Sequence, residues 1–232
     1  MIDTHCHLLP GLDDGARSVG DAVAMARQFV ECGVTAVVCT PHLSADFRAT
    51  TEHVTRGLER LRLALEDLAV PLELHLGTEF TTARVRGATA GELADRAIGG
   101  RRVLVELVPS TRRADALAAL DAVHDAGLQA IVAHPERSAE VQRDPTIVEE
   151  LRSGGALIQV VGPSLLGRVS DAVRTSAWSL LEAGLVDLVG SDAHRPNSPS
   201  LRLDLVADLI AQRSDRGTAK RLLADVPASL LR

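Results

Sequence analysis

Short apolar runs alternate with amphipathic stretches along most of the chain, and this alternation constrains the fold most strongly. The apolar runs lie at 2–6, 34–40, 72–79, 103–108, 128–134, 157–162 and 186–191. Stretches with helical periodicity lie at 18–32, 51–69, 113–126, 145–153 and 170–183. Near-continuous apolar strands between helices predict a parallel sheet that is covered by helices. The segment 201–232 is predicted to add one or two closing helices, interrupted at Pro227.

Most of the predicted strands end in side chains of the kinds that bind metal ions. These residues are His5, His7, His42, Glu79, Glu106, His134, Asp192 and His194. An open doubly wound sheet is an alternative architecture, but such a sheet collects its ligands at one switch point. Only a closed barrel brings the C-terminal ends of all these strands together, where barrel enzymes have their active sites. The seven strand–helix units are one short of the usual eight, so either one strand is not recognisable or the barrel has seven.

Two pairs of residues spaced at i and i+2 give the strongest metal signal. His5 and His7 end the first predicted strand, and Asp192 and His194 follow the last. Residues two apart in a strand point to the same face, so each pair can bind one ion or two adjacent ions. Each pair alone has an ordinary alternative as solvated or core side chains. In a closed barrel the first and last strands are neighbours, so the two pairs support each other.

The other candidates have weaker individual signals. Asp14 lies in an Asp-Asp-Gly sequence that is ordinary in turns, and His42 lies where a proline forces an extended exit from a strand. Glu79 and Glu106 are more informative, because a carboxylate at the end of an apolar strand is costly to bury without a cation. His134 ends the fifth strand in the same way.

The complete set contains five histidines and four carboxylates, which is too many for one zinc ion with its four ligands. It fits two or three divalent ions, and imidazole combined with carboxylate suits Mn, Zn or Fe. We therefore expect a multinuclear metal site.

The composition excludes several other classes of function. The net charge of −6 and the aromatic content of 2% argue against a nucleic-acid surface. No apolar run approaches the ~20 residues that span a bilayer. Three cysteines are an odd number and no signal peptide is expected before the first strand, so we predict a cytoplasmic protein without a disulfide framework.

The ligand-bearing motifs also occur together in a known family. MIDTHCHLLPGLDDGARS, CTPH, GTEF, VLVEL, VAHPER and GSDAH, in this order, resemble the PHP (polymerase and histidinol phosphatase) superfamily. More closely, they are similar to the CpsB/CapC-type manganese-dependent protein-tyrosine phosphatases of capsule and exopolysaccharide systems. The resemblance covers roughly residues 1–205. It implies a distorted seven-stranded (β/α)7 barrel with three metals, and we expect a single PHP-like metallophosphoesterase domain over residues 1–232.

The resemblance also implies roles for individual residues. The implied ligands of the first metal are His5, His7, Glu79 and Asp192. Glu79 would bridge to a second metal completed by Glu106 and His134, and the third metal would have Asp14, His42 and His194. Arg137, in the HPER sequence, would bind the phosphoryl group.

The chain departs from the family pattern at two places that bear on substrate choice. The family carries Arg-Pro several residues after its Asp-x-His pair, whereas Arg195 follows His194 directly. Arg195 or Arg202 is a candidate for the displaced substrate contact. The sixth strand of the family ends in Gln-x-Asn, but here Gln159 is followed by two valines.

Together, the residues and the resemblance predict a metal-dependent phosphomonoester hydrolase that uses a metal-bridging hydroxide. The predicted substrate is a phosphotyrosine protein, such as the tail of a bacterial tyrosine kinase. A small-molecule phosphatase, for example of histidinol phosphate, is the main alternative, and the oligomeric state stays open.

Other classes of protein fit less well. A nuclease is disfavoured by the scarcity of aromatics and basic runs. An amidohydrolase typically has a metal-bridging lysine, but Lys220 is the only lysine and lies in the tail. A cysteine-based tyrosine phosphatase needs an arginine six residues after its cysteine, where this chain has Leu12, Val38 and Ala45. An inactive scaffold would not need the complete ligand set.

Overall fold

The computed structural model describes residues 1–232 as nine strands in two parallel sheets, with helices between the strands. The strands are β1 (Ile2–Cys6), β2 (Ala36–Cys39), β3 (His42–Leu43), β4 (Glu73–Leu76), β5 (Glu79–Thr81), β6 (Arg102–Glu106), β7 (Gln129–Ala133), β8 (Leu157–Val161) and β9 (Leu188–Gly190). The α-helices are α1 (Val19–Glu31), α2 (Thr51–Asp67), α3 (Thr82–Gly87), α4 (Ala90–Asp95), α5 (Arg113–Asp125), α6 (Ala139–Arg143), α7 (Thr146–Ser153), α8 (Gly162–Leu165), α9 (Asp171–Glu182), α10 (Leu203–Arg213), α11 (Arg216–Lys220) and α12 (Val226–Leu230).

One sheet has the order β1-β2-β4, and the other has the order β3-β5-β6-β7-β8-β9. The α/β class with parallel strands is therefore confirmed. Neither sheet is closed on itself, so the predicted seven-stranded barrel is not seen as one continuous ladder.

The predicted strand 72–79 is wrong as one continuous element, because it is divided between β4 in one sheet and β5 in the other, whereas the predicted strand 34–40 corresponds to β2. Pro41 separates β2 from β3, and its missing N–H cannot extend the ladder. Gly77 lies between β4 and β5, where a Cβ atom would come within 2.9 Å of Val38 Cγ1 and 3.0 Å of Ile98 Cγ1. The chain can turn so close to these side chains only because residue 77 has none.

The end of β1 lies beside the segment that follows β9. The backbone N–H of His7 donates to the Ala193 carbonyl at 3.0 Å, and that of Asp192 donates to the His5 carbonyl at 2.9 Å. A parallel bridge joins Cys6 to Ala193. The two i, i+2 pairs are therefore neighbours, which is the relationship on which the metal prediction depends.

The two faces of the sheets bury separate apolar clusters. The larger cluster, of 55 residues, packs the strands against the helices. The smaller cluster contains seven residues, which are Val38, Ile98, Leu104, Ile131, Ala133, Leu188 and Leu230. Val103 and Val105 belong to the larger cluster and Leu104 to the smaller, as the two-residue period of a strand requires. Leu230 of α12 thus brings the C-terminal segment into the inner core.

The long helices begin where polar caps allow them. The side chains of Ser18, Thr50 and Ser170 each accept a hydrogen bond from a backbone N–H in the first turn of α1, α2 and α9. The short helices α3, α4, α6 and α8 were not predicted. The tail forms two helical stretches, as predicted: α10, and a second stretch in which α11, a π-helical turn (Arg221–Asp225) and α12 follow one another without a break. Pro227 does not end the second stretch but lies in α12, directly after the π-helical turn. None of the helices combines the length with the apolar sequence that a membrane span requires.

Candidate metal centre

The structure brings the nine predicted ligand residues together at one edge of the strands. They form four sets whose ligand atoms lie within 4.8 Å of one another. The sets are His7, Asp14, His42 and His194; His5, Glu79 and His134; His5, His7 and Asp192; and His42, Glu79 and Glu106. The sets share members, as expected for a centre with several adjacent ions.

Glu79 is at the middle of the cluster. Its Oε2 lies 3.2 Å from His5 Nε2 and 2.9 Å from His42 Nδ1, and its Oε1 lies 2.9 Å from His134 Nε2. The side chain is fully buried. Although burial acts to raise it, the pKa of Glu79 is held well below its usual value, chiefly by these three histidines. Glu79 belongs to two of the four sets, as do His5, His7 and His42, but it is the only carboxylate that does, and its two oxygens face different histidines.

His5 and His7 direct their Nε2 atoms towards one point. The two atoms are 3.3 Å apart, and Asp192 Oδ1 lies 3.5 Å from one and 3.4 Å from the other. Burial raises the pKa of Asp192, but His7, His5 and Arg137 together hold it well below its usual value. Two imidazole nitrogens that face each other beside an ionised carboxylate are costly to bury, whereas a divalent cation could bind all three groups. The donor set therefore fits a metal ion.

Two buried groups that the sequence prediction left out of the site fix the orientation of these histidines. Asp13 Oδ2 accepts from His7 Nδ1 at 2.7 Å, and Gln159 Oε1 accepts from His5 Nδ1 at 2.8 Å. The Gln159 amide group donates in turn to Thr4 Oγ1 at 2.8 Å. Each acceptor holds the proton on Nδ1, so that the Nε2 lone pair is free for a metal.

A signal for Gln159 was present in the sequence, because it is a lone polar residue in an apolar strand. Asp13 had no such signal, since two adjacent aspartates before a glycine look equally suited to a turn. The structure separates them. The side chain of Asp13 is completely buried, while that of Asp14 is 53% exposed.

The outer part of the cluster is open to solvent. Asp14 Oδ1 lies 3.6 Å from His42 Nε2 and 3.5 Å from His194 Nε2. The rings of His7 and His194 are stacked with centroids 3.9 Å apart. Burial and the neighbouring His7 lower the pKa of His194, so that its ring favours the neutral form that binds metals. Glu106 is half-buried on the other side, where burial and Glu79 raise its pKa.

Two of the candidate ligand residues have left-handed backbone conformations that are unusual for residues other than glycine. The φ angle is 35° at His134 and 51° at Asp192. Such conformations cost of the order of 1 kcal/mol or more each and tend to occur at functional sites. Here each one turns a side chain at the end of a parallel strand into the shared cluster.

The two predicted substrate arginines have different environments. Arg137 follows β7 in a 3₁₀ turn (Pro135–Arg137), and its Nη1 lies 2.6 Å from Asp192 Oδ2, with 31% of the side chain exposed. It therefore borders the cluster and still faces solvent. Arg195 is exposed, and none of the ion pairs in the cluster includes it. Arg202 is paired with Asp204 at 2.6 Å instead.

The thiols do not take part in the cluster. Cys6 and Cys39 are buried, and all three cysteines are free. Burial raises the pKa of both Cys6 and Cys39, which keeps them as unreactive thiols.

Comparisons with known proteins agree with this geometry. The tyrosine-protein phosphatase YwqE of Bacillus subtilis is 32% identical over 206 residues, covering 84% of this chain and 77% of the relative. The tyrosine-protein phosphatase CpsB of Streptococcus pneumoniae is 25% identical over 239 residues, covering all of this chain and 98% of the relative. A crystal structure from a study of YwqE and CpsB, described as unique metal-dependent tyrosine phosphatases, superimposes with a TM-score of 0.89 at 27% identity, covering 100% of this chain and 94% of the other.

The whole of the chain also matches a single family model. That model describes capsular polysaccharide synthesis proteins of the CpsB/CapC type, and its match runs over residues 1–232. The ligand-bearing motifs, the fold and the match along the full chain lead to the same assignment. This chain belongs to the CpsB/CapC family.

Proposed function

We propose that this protein is a metal-dependent protein-tyrosine phosphatase that acts in a capsule or exopolysaccharide system. The observation that carries the proposal is the convergence of nine ligand-type side chains on a cluster whose open side is bordered by Arg137. The relatives that are named tyrosine-protein phosphatases support the choice of substrate class. A phosphotyrosine protein, such as the tail of a bacterial tyrosine kinase, is the proposed partner.

The proposed cofactors are two or three divalent metal ions, with manganese favoured and zinc or iron as alternatives. Such ions polarise a phosphoryl group and lower the pKa of a water molecule towards neutrality. Inside the cluster, Glu79, His5 and His7 provide the fully buried ligands, and Asp14 and His194 provide the exposed ones. The open side is where a phosphate ester has room to enter.

Arg137 is the proposed phosphoryl-binding residue. Asp192 and Glu136 raise the pKa of its guanidinium against the effect of burial, so it stays charged. Its exposed face can donate to phosphoryl oxygens while Asp192 holds the other side. Arg195 is a second proposed substrate contact, which requires its exposed side chain to turn towards the site.

The leaving group also favours a tyrosine ester. The titratable side chains on the open side of the cluster are all assigned as ligands, apart from the arginine, and the buried Asp13 is paired with His7 Nδ1. No separate acid is then available to protonate an alkoxide. A phenolate with a pKa near 10 leaves without such help more easily than a serine alkoxide.

The proposal also includes the fold, the domain organisation and the location of the protein. The parallel sheets and the contact of β1 with the end of β9 support a distorted seven-stranded barrel. The shared core supports a single domain over residues 1–232. The three unpaired thiols support action in the reducing cytoplasm.

A substrate panel tests the proposal. Protein purified gently and reconstituted with Mn²⁺ is assayed on a phosphotyrosine peptide, the matched phosphoserine peptide and histidinol phosphate, and its metal content is measured by elemental analysis. We expect bound metal and a clear preference for phosphotyrosine. Equal rates on the two peptides, or a preference for histidinol phosphate, would place the protein among the small-molecule phosphatases. Protein that neither binds metal nor gains activity with Mn, Zn or Fe would refute metal-dependent hydrolysis altogether.

A further inference from the structure

The chain is very poor in aromatic residues, and only one of them is available to a ligand. It has three phenylalanines, one tryptophan and no tyrosine. Phe29 and Phe80 are fully buried, and Trp178 is 5% exposed. Phe47 alone is partly exposed. An aromatic side chain that stays accessible in such a chain needs an explanation.

Phe47 lies at the rim of the metal centre. Its ring is nearly parallel to that of His42, with an interplanar angle of 14° and centroids 5.7 Å apart. The turn that presents it is held by Ser44, whose backbone N–H donates to the Phe47 carbonyl at 2.9 Å. The Ser44 hydroxyl accepts from the Phe47 N–H at 3.2 Å. The ring is therefore fixed beside a ligand on the open side of the cluster.

We propose that Phe47 determines specificity by receiving the phenyl ring of the substrate while the phosphoryl group lies at the metal centre. The inference rests on the proposed phosphatase function and names what the site recognises beyond the phosphate. Aromatic rings pair favourably in offset or edge-to-face arrangements, with centroids 4.5–7 Å apart. An alkyl phosphate has no ring for this contact, so Phe47 favours aryl esters over alkyl esters.

Space for the rest of a protein substrate lies next to this residue. Leu43, Ser44 and Arg48, on either side of Phe47 in the sequence, line a cleft of about 830 Å³. The cleft is large enough for several residues of a polypeptide attached to the ring. Phe47 and the candidate ligands do not line this cleft, so the proposal places only the polypeptide of the substrate there and its ring at Phe47.

Direct binding tests this role without depending on turnover. Phenylphosphonate and propylphosphonate present the same anionic group on an aromatic or an aliphatic body, and neither is hydrolysed. Calorimetry on the Mn²⁺-loaded wild type is expected to show tighter binding of phenylphosphonate. Phe47→Leu should weaken phenylphosphonate by about three- to tenfold and propylphosphonate by less than about twofold. Phe47→Tyr should keep the preference.

The matched control is Asp46→Ala, an exposed neighbour in the same turn, which should change neither affinity. Metal content is measured for each variant. If Phe47→Leu loses metal, or weakens both phosphonates equally, then Phe47 acts only by packing on His42 and the inference is wrong. Equal affinities of the wild type for the two phosphonates would overturn it as well.

The same protein samples separate this inference from the proposed function. With a phosphotyrosine peptide, Phe47→Leu should raise KM by a similar factor and leave kcat within about twofold. Wild-type protein that prefers phenylphosphonate but does not hydrolyse the peptide would refute the phosphatase function while leaving the ring-binding role intact. If the wild type hydrolyses the peptide and Phe47→Leu has the same KM, the phosphatase function stands and the ring-binding role of Phe47 is refuted.

Discussion

Asp13→Asn is expected to disturb the candidate metal centre although Asp13 is not one of the nine candidate ligands. Asp13 accepts three hydrogen bonds, from His7 Nδ1 at 2.7 Å, from the His42 N–H at 2.9 Å and from the Gly15 N–H at 2.9 Å. An amide has only one oxygen. In either orientation its NH₂ group faces at least one of these donors, so at least one buried hydrogen bond is lost.

The magnitude follows from what the amide leaves unpaired. A hydrogen bond to a charged group contributes about 1.5–3 kcal/mol, and a buried donor without a partner costs a similar amount. We expect the metal-free Asp13→Asn variant to lose about 3 kcal/mol of unfolding free energy. For a chain of this size that lowers Tm by roughly 6–12 °C. Metal affinity should fall by about 10- to 100-fold, because His7 is no longer held with its proton on Nδ1.

The assays are thermal unfolding of metal-free protein and Mn²⁺ titration against a chelator. Asp14→Asn is the matched control, because Asp14 is the adjacent aspartate and its side chain is 53% exposed. It should reduce the number of bound ions but change metal-free stability by less than about 0.5 kcal/mol. Asp13→Asn protein with wild-type stability and wild-type metal affinity would show that Asp13 does not orient His7.

Three further variants test other parts of the centre. Glu79→Gln should lower turnover by at least about 100-fold and reduce metal content by elemental analysis, with an unchanged circular dichroism spectrum, since its oxygens contact three histidines. Gly190→Ala should cost about 1–3 kcal/mol in urea unfolding, because the new Cβ would lie 2.7 Å from His5 Cβ. Burial raises the pKa of Asp3 from 3.8 to about 6, so the folded protein holds this proton more tightly than the unfolded chain. The protonated Asp3 carboxyl thus adds about 3 kcal/mol to the free energy of unfolding below pH ~4, and this contribution is lost as the pH rises through ~6. Between these pH values, the metal-free Asp3→Asn variant should therefore lose less stability than the wild type.

The strand ends of the site could be predicted from the sequence because their signal is local. A carboxylate or histidine that ends an apolar run, such as Glu79 or His134, is conspicuous without any knowledge of its neighbours. The matching pairs His5/His7 and Asp192/His194 then predicted that the first and last strands lie side by side. The structure brings these residues together by the backbone bonds between His5, His7 and the segment after β9.

The features that could not be predicted depend on contacts between distant segments. The break of one predicted strand at Gly77 follows from the position of Val38 and Ile98, which are far away in the sequence. The different roles of Asp13 and Asp14 depend on which side chain meets His7. Phe47 has an ordinary sequence context, and it becomes informative only when its ring is found beside His42.

The side chains of the cluster are buried on one side and partly exposed on the other, and this arrangement suits catalysis. His5 and Glu79 have no exposed side-chain surface, and His5 Nδ1 is hydrogen-bonded to Gln159 Oε1. At the other side, 25% of the His194 side chain and 31% of the Arg137 side chain face solvent. The inner candidate ligands are therefore held in place by protein contacts alone, while the outer groups have the solvent access that an exchange of water for phosphoryl oxygens would require. A centre buried on all sides would hold ions firmly but admit no ester, and a fully exposed one would not keep its histidines in the neutral, oriented form that binds metal.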